Sequence, residues 1–172
     1  MMAPNQFKLS HRPVERGDIE SLCAFAQTSE ELFYLFPKAN YPLTPDQLKR
    51  AISERTENTV VLLDDALAGF ANFYEWEPNG VCAIGNVMID PNLRGQGLGA
   101  YLIKVLSKVA FTKHNARTVH ISCFCDNTAG LALYEKLGFQ KCGEERRFDK
   151  TGNITTLINL ELSRNDWIRC GV

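Results

Sequence analysis

The chain has 172 residues, of which 45% are hydrophobic and 23% charged, the balance of a single globular domain with a substantial core. That composition excludes a disordered chain, a collagen-like fibre and a bundle of membrane helices. Nineteen Lys and Arg against 20 Asp and Glu give a net charge of -1, which disfavours nucleic-acid and membrane-surface binding because both need excess cations.

The six cysteines are predicted to be free, reduced thiols. Residues 1–8 contain no apolar segment of a secretory signal, so we expect a cytoplasmic protein, in which disulfides are rare. Cys123 and Cys125 are spaced so that a strand would point both thiols to one face. No Cys-x-x-Cys pair accompanies them and the three histidines are scattered, so no metal site is predicted.

The N-terminal part of the chain is predicted to form one strand and two helices. A strand near residues 7–11 precedes a helix with Asp18 as its N-cap and apolar residues at helical spacing through residue 26. A second helix is predicted to begin at Thr44 and to continue through Arg55. Thr44 is its N-cap, a proline follows directly, and a glutamine lies three residues past the cap. The segment between the helices is predicted as a connection that holds four aromatic residues: Phe33, Tyr34, Phe36 and Tyr41.

The rest of the chain alternates between strand and helix patterns. Turn residues at 64–65 and 78–80 separate three strands of an antiparallel sheet, and apolar residues at intervals of three and four from Leu98 to Val109 indicate a long helix. The predicted elements are strands 59–63, 67–76 and 81–89, the long helix, strand 119–124, helix 127–137, and strands 139–148 and 154–162. This order predicts an α/β or α+β fold with a mixed sheet.

A glycine-rich loop connects the third of these strands to the long helix. Gly95, Gly97 and Gly99 lie where backbone N–H groups at a helix start have no intrahelical partner, and glycine lets that backbone approach a ligand closely. Arg94 adds a permanent positive charge, so the loop is suited to a pyrophosphate; tight packing alone is the alternative. It matches neither the nucleoside-triphosphate loop nor the dinucleotide fingerprint G-x-G-x-x-G.

With a second segment, this loop makes the chain resemble the GNAT superfamily of acyl-CoA-dependent N-acetyltransferases. The order of predicted strands and helices agrees with that family along nearly the whole chain. Three motifs carry the resemblance: Arg94-x-x-Gly97-x-Gly99 after Val87-x-Ile89-x-Pro91; Asn127 followed by Tyr134 and Gly138-Phe139; and Arg12-Pro13 with Asp18 before the first helix.

The resemblance implies a single N-acetyltransferase domain over residues 1–172, with a GNAT-like twisted, mostly antiparallel sheet flanked by helices. It implies acetyl-CoA as the acetyl donor, wedged where two strands separate, with no metal. The residues implied to bind it are Val87 and Ile89 through their backbone, the loop residues Arg94, Gly95, Gln96, Gly97, Leu98, Gly99 and Ala100, and Asn127. An N-cap role for Asn127 is the structural alternative.

For the chemistry, the resemblance implies that Tyr134 protonates the departing CoA thiolate, with core packing in the apolar stripe of its helix as the alternative. Many relatives carry a glutamate base in the strand before the loop, but residues 83–87 contain none. Glu75 and Glu77 are the nominated bases, with surface positions or a water chain as alternatives. Five aromatic residues are nominated to wall the acceptor site, with core packing as the alternative: Phe33, Tyr34, Tyr41, Tyr74 and Trp76.

The function implied is transfer of an acetyl group from acetyl-CoA to a primary amine by direct attack in a ternary complex. The amine is a small molecule, an amino acid or a peptide lysine, and the protein is a monomer or homodimer with no nucleic-acid or membrane partner. A ping-pong route through Cys123 or Cys125 is a minor alternative. The sequence also fits a non-catalytic acyl-CoA-binding sensor or regulatory module, transfer of a longer acyl group, and transfer to oxygen.

Overall fold

The computed structural model describes residues 7–171, which form seven strands and six α-helices. The strands are β1 (Leu9–Pro13), β2 (Thr56–Leu63), β3 (Ala66–Trp76), β4 (Val81–Ile89), β5 (Thr118–Phe124), β6 (Gln140–Phe148) and β7 (Ile154–Ser163). The helices are α1 (Ile19–Cys23), α2 (Ser29–Leu35), α3 (Pro45–Glu54), α4 (Leu98–Thr112), α5 (Thr128–Lys136) and α6 (Arg164–Cys170). No helix within these residues is long and apolar enough to cross a membrane.

The seven strands form one mixed sheet in the order β1-β2-β3-β4-β5-β7-β6. Every neighbouring pair is antiparallel except β4 and β5, which are parallel. The parallel pairing runs from Val81 opposite Thr118 to Ile84 opposite Ile121, and both strands then continue unpaired with each other. The predicted α/β fold with a mixed, mostly antiparallel sheet is thus confirmed, and it contains an opening between its two parallel strands.

Helices cover both faces of the sheet and bury a separate core on each. Val60 and Val61 are neighbours in β2 but join different cores, because successive side chains of a strand point to opposite faces. On one face, α4 packs Leu102 and Leu106 against residues such as Phe73. Helices α1, α2 and α3 close the other face. The opening between β4 and β5 lies in the sheet between these two helical layers.

The predicted first strand and first two helices are present, with different boundaries. Strand β1 begins at Leu9 rather than near residue 7, and α1 ends at Cys23, five residues after the Asp18 position that precedes it. Thr44 caps α3 as predicted, its Oγ1 accepting from the backbone N–H of Gln47 at 3.4 Å. Helix α3 stops at Glu54, so Arg55 does not continue it.

Two helices were not predicted. The segment expected to be an aromatic connection contains α2, which Thr28 caps by accepting from the backbone N–H of Glu31 at 3.1 Å. Seven residues are too few to show a clear helical period, so the sequence pattern did not indicate this helix. Helix α6 follows β7 and places Trp167 against Phe111, with ring centroids 4.8 Å apart.

Candidate functional site

The opening between β4 and β5 exposes backbone groups of β4. The N–H of Asp90 donates to the carbonyl of Ala68 on β3 at 2.8 Å. Backbone groups alternate in direction along a strand, so those of Ile89 and Val87 point away from β3, toward the opening. The two residues predicted to pair with an extended ligand therefore lie where such pairing is geometrically available.

A bulge in β4 lies beside this opening. The register with β3 passes from Phe70 opposite Met88 to Asn72 opposite Gly85, so β4 holds one extra residue. Asn86 takes the strain with a φ of 51°, and its side-chain amide donates to the carbonyl of Leu35 at 3.2 Å. Bulges bend a strand and re-aim its groups, and here the bulge separates β4 from β5 and ties it to α2.

The glycines of the loop before α4 are required for different structural reasons. Gly95 and Gly97 have φ values of 78° and 82°, and a Cβ at either would meet no described atom within 4 Å. They are therefore required by the backbone conformation, and the space above them is open to a ligand. Gly99 instead lies against α5, where a Cβ would come within 3.1 Å of Leu133. The packing explanation holds for Gly99 only.

The other loop residues surround the start of α4. Leu98 is buried and anchors the helix, whereas Gln96 is exposed and Ala100 is half-buried. Arg94 is 46% exposed and forms an ion pair with Glu31 of α2, Nη1 to Oε1 at 3.3 Å. An exposed pair of this kind contributes little to stability, so the guanidinium is free to exchange its partner for another anion.

Asn127 is the N-cap of α5. Its Oδ1 accepts from the backbone N–H of Gly130 at 3.1 Å, so the cap role expected as the structural alternative is present. Gly130 is crowded, because a Cβ there would lie 2.8 Å from Nδ2 of Asn127 and 3.0 Å from Sγ of Cys123. Contact of Asn127 with a donor molecule stays a prediction.

Tyr134 points its phenol into the molecule from α5. The residue is 6% exposed, and its ring packs on Phe139 with centroids 6.2 Å apart. Its hydroxyl makes no hydrogen bond to any residue from 7 to 171. Burial, with a smaller contribution from Cys123, raises the pKa of Tyr134 well above its ordinary value. The phenol therefore stays protonated and has a hydroxyl free to donate.

The two nominated glutamates lie in different places. Glu75 is opposite Ala83, one residue before the last β4–β5 pair, and its charge contributes to raising the pKa of its neighbour Tyr74. Glu77 folds over its own turn, where a Cβ on Gly80 would lie 2.6 Å from its Oε2. At about 3.3 Å per residue, Glu77 is roughly 13 Å along the strands from Gly85. The structure brings Glu75 near the opening but not Glu77.

Three of the five nominated aromatic residues lie near the opening. Phe33 stacks on Phe124 at the end of β5, with centroids 4.5 Å apart, and Tyr34 lies 5.9 Å from the same ring. Tyr34 donates to Glu30 at 3.1 Å, and burial followed by that contact raises its pKa to about 12. Tyr74 borders the bulge of β4 at Gly85.

The remaining two nominated residues lie farther from the opening. The hydroxyl of Tyr41 donates to the carbonyl of Gln27 at 2.8 Å, which holds the loop after α2. Trp76 is opposite Cys82, at the turn end of β3 and β4.

Sequence reasoning missed a polar group under α2. Arg55 donates from Nη1 to Oδ1 of Asn72 at 3.1 Å, and its guanidinium lies over the rings of Phe36 at 5.8 Å and Tyr74 at 5.5 Å. Ser122, on β5 near Tyr74, donates to Asn159 at 2.8 Å. The available signal was asparagine within apolar strands, since Asn72 and Asn86 interrupt otherwise buried runs.

Comparisons with known proteins agree with the motifs. A family model described as "Acetyltransferase (GNAT) family" matches residues 21–139. The chain is 29% identical over 75 residues to a probable spermine N(1)-acetyltransferase of Bacillus subtilis subsp. natto (strain BEST195), covering 44% of this chain and 49% of that protein. It is 34% identical over 65 residues to the N-alpha-acetyltransferase RimI of Mycobacterium tuberculosis (strain ATCC 25618 / H37Rv), covering 38% and 39%. The matches span about half or less of these relatives' length.

Solved structures agree over a longer stretch. A spermidine N-acetyltransferase from Vibrio cholerae, in complex with CoA and spermine, has a TM-score of 0.78 at 20% identity. The match covers 93% of this chain and 98% of that one, which at this identity shows a shared fold. Because the family model also covers more than half of the chain, including the glycine loop and Tyr134, the chain belongs to the Acetyltransferase (GNAT) family.

Proposed function

We propose that this protein is an N-acetyltransferase that moves an acetyl group from acetyl-CoA to a primary amine. The observation that carries the proposal is the opening between β4 and β5, with the glycine loop after β4 and the buried Tyr134, which lies near Cys123 of β5, on the helix after β5. Acetyl-CoA supplies the thioester and a pyrophosphate, and both have a suitable environment in this arrangement. The free thiols of all six cysteines are in keeping with a cytoplasmic protein.

The backbone of the loop and of β4 would hold the donor. The open space above Gly95 and Gly97, with the N-terminus of α4 behind it, suits a pyrophosphate, and Arg94 adds a charge. The outward-facing N–H and carbonyl groups of Val87 and Ile89 suit the amides of pantetheine. An N–H from this strand would polarise the thioester carbonyl, where negative charge develops during attack.

Tyr134 would deliver the proton that the sulfur needs when CoA departs. A phenol with a raised pKa remains protonated at every pH of an ordinary assay, so it acts as a donor and not as a base. Its hydroxyl has no competing partner among the described residues, so it can bond to the sulfur. The sulfur gains the phenolic proton as the C–S bond breaks, and solvent returns a proton to the tyrosinate.

Glu75 would accept the proton that the amine loses. It lies near the end of the paired part of β4 and β5, and it makes no ion pair with any residue that the structure describes. A carboxylate free of partners is available to take a proton directly or through water. Glu77 is placed too far along the hairpin for that role, so the proposal assigns the base to Glu75 alone.

Direct attack is favoured over a route through a cysteine. Burial raises the pKa of Cys123 to about 11, so almost none of it is thiolate at neutral pH. Its thiol also points to the carbonyls of Phe124 and Asn127, each at 3.6 Å. A thiol held in this way is a poor nucleophile, which supports a ternary complex of protein, acetyl-CoA and amine.

The test is release of CoA thiol from acetyl-CoA across a chemically broad set of amines, with acetyl-CoA binding measured separately by calorimetry. We expect turnover with at least one class of amine, and intersecting initial-rate lines when both substrates are varied. Tight acetyl-CoA binding without turnover of any amine would instead favour a sensor. Parallel lines would favour the cysteine route.

A further inference from the structure

Arg55 carries a charge that forms no ion pair with any residue from 7 to 171, although Glu54 lies close enough to act on its pKa. Arg55 lies between α3 and β2, half-buried, and its single side-chain hydrogen bond within residues 7–171 goes to the neutral amide of Asn72. Three arginines face carboxylates: Arg12 faces Asp18, Arg50 faces Glu54, and Arg94 faces Glu31. Arg164 has no ion pair within residues 7–171 either, but its Nη2 donates to two backbone carbonyls, those of Phe111 and Ala116. A guanidinium has five N–H donors, so most of those of Arg55 are left over.

Arg55 lies beside the point at which β4 and β5 separate. A Cβ on Gly85 would lie 2.8 Å from Nη1 of Arg55 and 2.7 Å from Cδ1 of Tyr74. Gly85 directly follows Ile84, the last residue of β4 to pair with β5. The absence of a side chain at Gly85 thus lets the guanidinium lie against the strand at the point where the strands separate.

The groups that hold Arg55 orient it without neutralising it. Asn72, fully buried, accepts from Arg55 and donates to Asn58 at 3.1 Å and to Asn86 at 3.2 Å. Asn58 in turn donates to the carbonyl of Arg55 at 3.3 Å. A carboxylate at position 72 would have neutralised the charge. Instead, the neutral amide of Asn72 orients the guanidinium, and Asn58 and Asn86 hold Asn72 in place.

The surroundings of Arg55 partly remove its charge from water, which costs free energy unless a ligand supplies a counter-charge. The rings of Phe36 and Tyr74 flank the guanidinium, and burial lowers the pKa of Arg55 from its ordinary value. A desolvated guanidinium binds carboxylates strongly because its planar fork matches both oxygens. The ordering of α2 by the bond from Asn86 to Leu35 places its aromatic wall over the same network.

Tyr74 lies near charges of both signs, with the guanidinium of Arg55 5.5 Å from its ring centroid. Glu75 directly follows Tyr74 in β3, and Glu75 and Glu145 both contribute to raising the pKa of Tyr74, so negative charge also lies near this ring. Glu145 is engaged by Arg147 at 2.7 Å, which leaves Glu75 as the free carboxylate. A molecule with an ammonium group at one end and a carboxylate at the other would satisfy both groups.

We propose that Arg55 binds a carboxylate of the acceptor, so that the acceptor is an amine that also carries a carboxylate group. This inference rests on the proposed acetyl transfer and names its substrate class. Polyamines, which bring only positive charge, would meet Arg55 without a counter-charge and are poor acceptors. Arg55 is then a residue that sets specificity, distinct from the groups that act at the thioester.

The test compares acceptors that differ only in charge at the far end. Omega-amino carboxylates from glycine to aminohexanoate are each assayed beside the corresponding amide and the diamine of equal length. We expect the wild-type protein to favour the carboxylate by about 10- to 100-fold in kcat/KM, the range expected for a hydrogen-bonded charge. Peptides with a free or an amidated C-terminus, run alongside, separate a free amino acid from a peptide end as the source.

Two variants assign the effect to Arg55. In Arg55→Gln, KM for the preferred carboxylate should rise by about 10- to 100-fold, the preference over the amide should vanish, and acetyl-CoA affinity should be unchanged. Arg55→Lys should restore part of the preference. The control Arg50→Gln, on the exposed side of α3, should change neither KM for the carboxylate nor the preference for the carboxylate over the amide. The melting temperature of Arg55→Gln should hold or rise, since an unpaired buried charge is removed.

The outcomes separate the inference from the proposed function. Equal use of carboxylates and amides by the wild-type protein, or an unchanged preference in Arg55→Gln, would overturn the inference while acetyl transfer stands. Should no amine turn over, acetyl transfer fails. Calorimetry of the same carboxylates with CoA present then tests whether Arg55 binds the carboxylate. Binding to the wild-type protein that is lost in Arg55→Gln would support the inference, and no binding to the wild-type protein would overturn it.

Discussion

The guanidinium of Arg12 donates two hydrogen bonds to the carboxylate of Asp18, Nη1 to Oδ2 at 2.7 Å and Nη2 to Oδ1 at 2.9 Å. Asp18 is 7% exposed, and it also accepts from the backbone N–H of Glu15 at 2.8 Å. The carboxylate that the sequence indicates as a helix cap thus joins β1 to the start of α1. Its side chain makes no cap bond to that helix.

Asp18→Asn should lower the free energy of unfolding by about 2 kcal/mol at neutral pH, because the change removes a charged hydrogen bond and leaves Arg12 partly buried. Urea denaturation followed by circular dichroism measures this. The control Glu15→Gln alters an exposed carboxylate 3.8 Å from Arg12 and should change stability little. Equal losses in both variants would contradict the assignment.

The contribution of Asp18 should also depend on pH. Hydrogen bonds from Arg12 hold the pKa of Asp18 below its ordinary value, against the opposing effect of burial. A group with a depressed folded-state pKa stabilises the protein above its unfolded pKa of about 3.9. That stability is lost as the pH falls through the folded-state pKa. The gap between wild-type and Asp18→Asn should therefore close below about pH 4, as urea titrations at several pH values would show.

Gly97→Val should reduce acetyl-CoA affinity sharply in calorimetry, because a branched side chain would occupy the open space over the loop and disfavour a φ of 82°. Gly152→Val is a matched control. Gly152, in the turn between β6 and β7, has a φ of 87° and equally open surroundings, so it suffers the same backbone strain. Binding lost in both variants would point to strain alone, and binding kept in a folded Gly97→Val would remove the loop from the site.

Tyr134→Phe should lower kcat and kcat/KM together by about 10²- to 10⁴-fold, because a proton donated in the transition state is lost while the ring keeps its packing. Acetyl-CoA affinity and melting temperature should change little, since the hydroxyl has no bond within residues 7–171. Tyr101→Phe, which removes a hydroxyl bonded to His11 at 2.8 Å, serves as the control. Unchanged kcat in a chemistry-limited assay would make Tyr134 a packing residue.

Glu75→Gln should depress the rate and displace the acidic limb of the pH–rate profile, because the amine then loses its proton without that carboxylate. Glu77→Gln is the comparison, since Glu77 lies over its own turn at Gly80 and should leave both quantities unchanged. A normal profile in Glu75→Gln would leave water, or an amine that arrives neutral, as the route for the proton. A shift in Glu77→Gln alone would reverse the assignment.

Local patterns in the sequence were enough to predict most of the elements. The period of the apolar residues in α4, the cap at Thr44 and the turn at Asp64-Asp65 are settled by interactions within a few residues. The glycines of the loop were recognisable for the same reason, because a positive φ restricts the residue type wherever it occurs. Helix α2 was missed because its seven residues owe their position to packing against β4 and β5.

The functional groups divide along the same line. The loop around Gly97, the Asn127 cap and Tyr134 belong to contiguous motifs, so the sequence by itself determined the family and the nominated donor site. The sequence could not distinguish Glu75 from Glu77, because their difference is a position relative to the separation of β4 from β5. Arg55 gave no local signal at all, since its surroundings come from α2, β3 and β4. A charge acquires its role from the dielectric and the partners around it, and only the tertiary structure decides those.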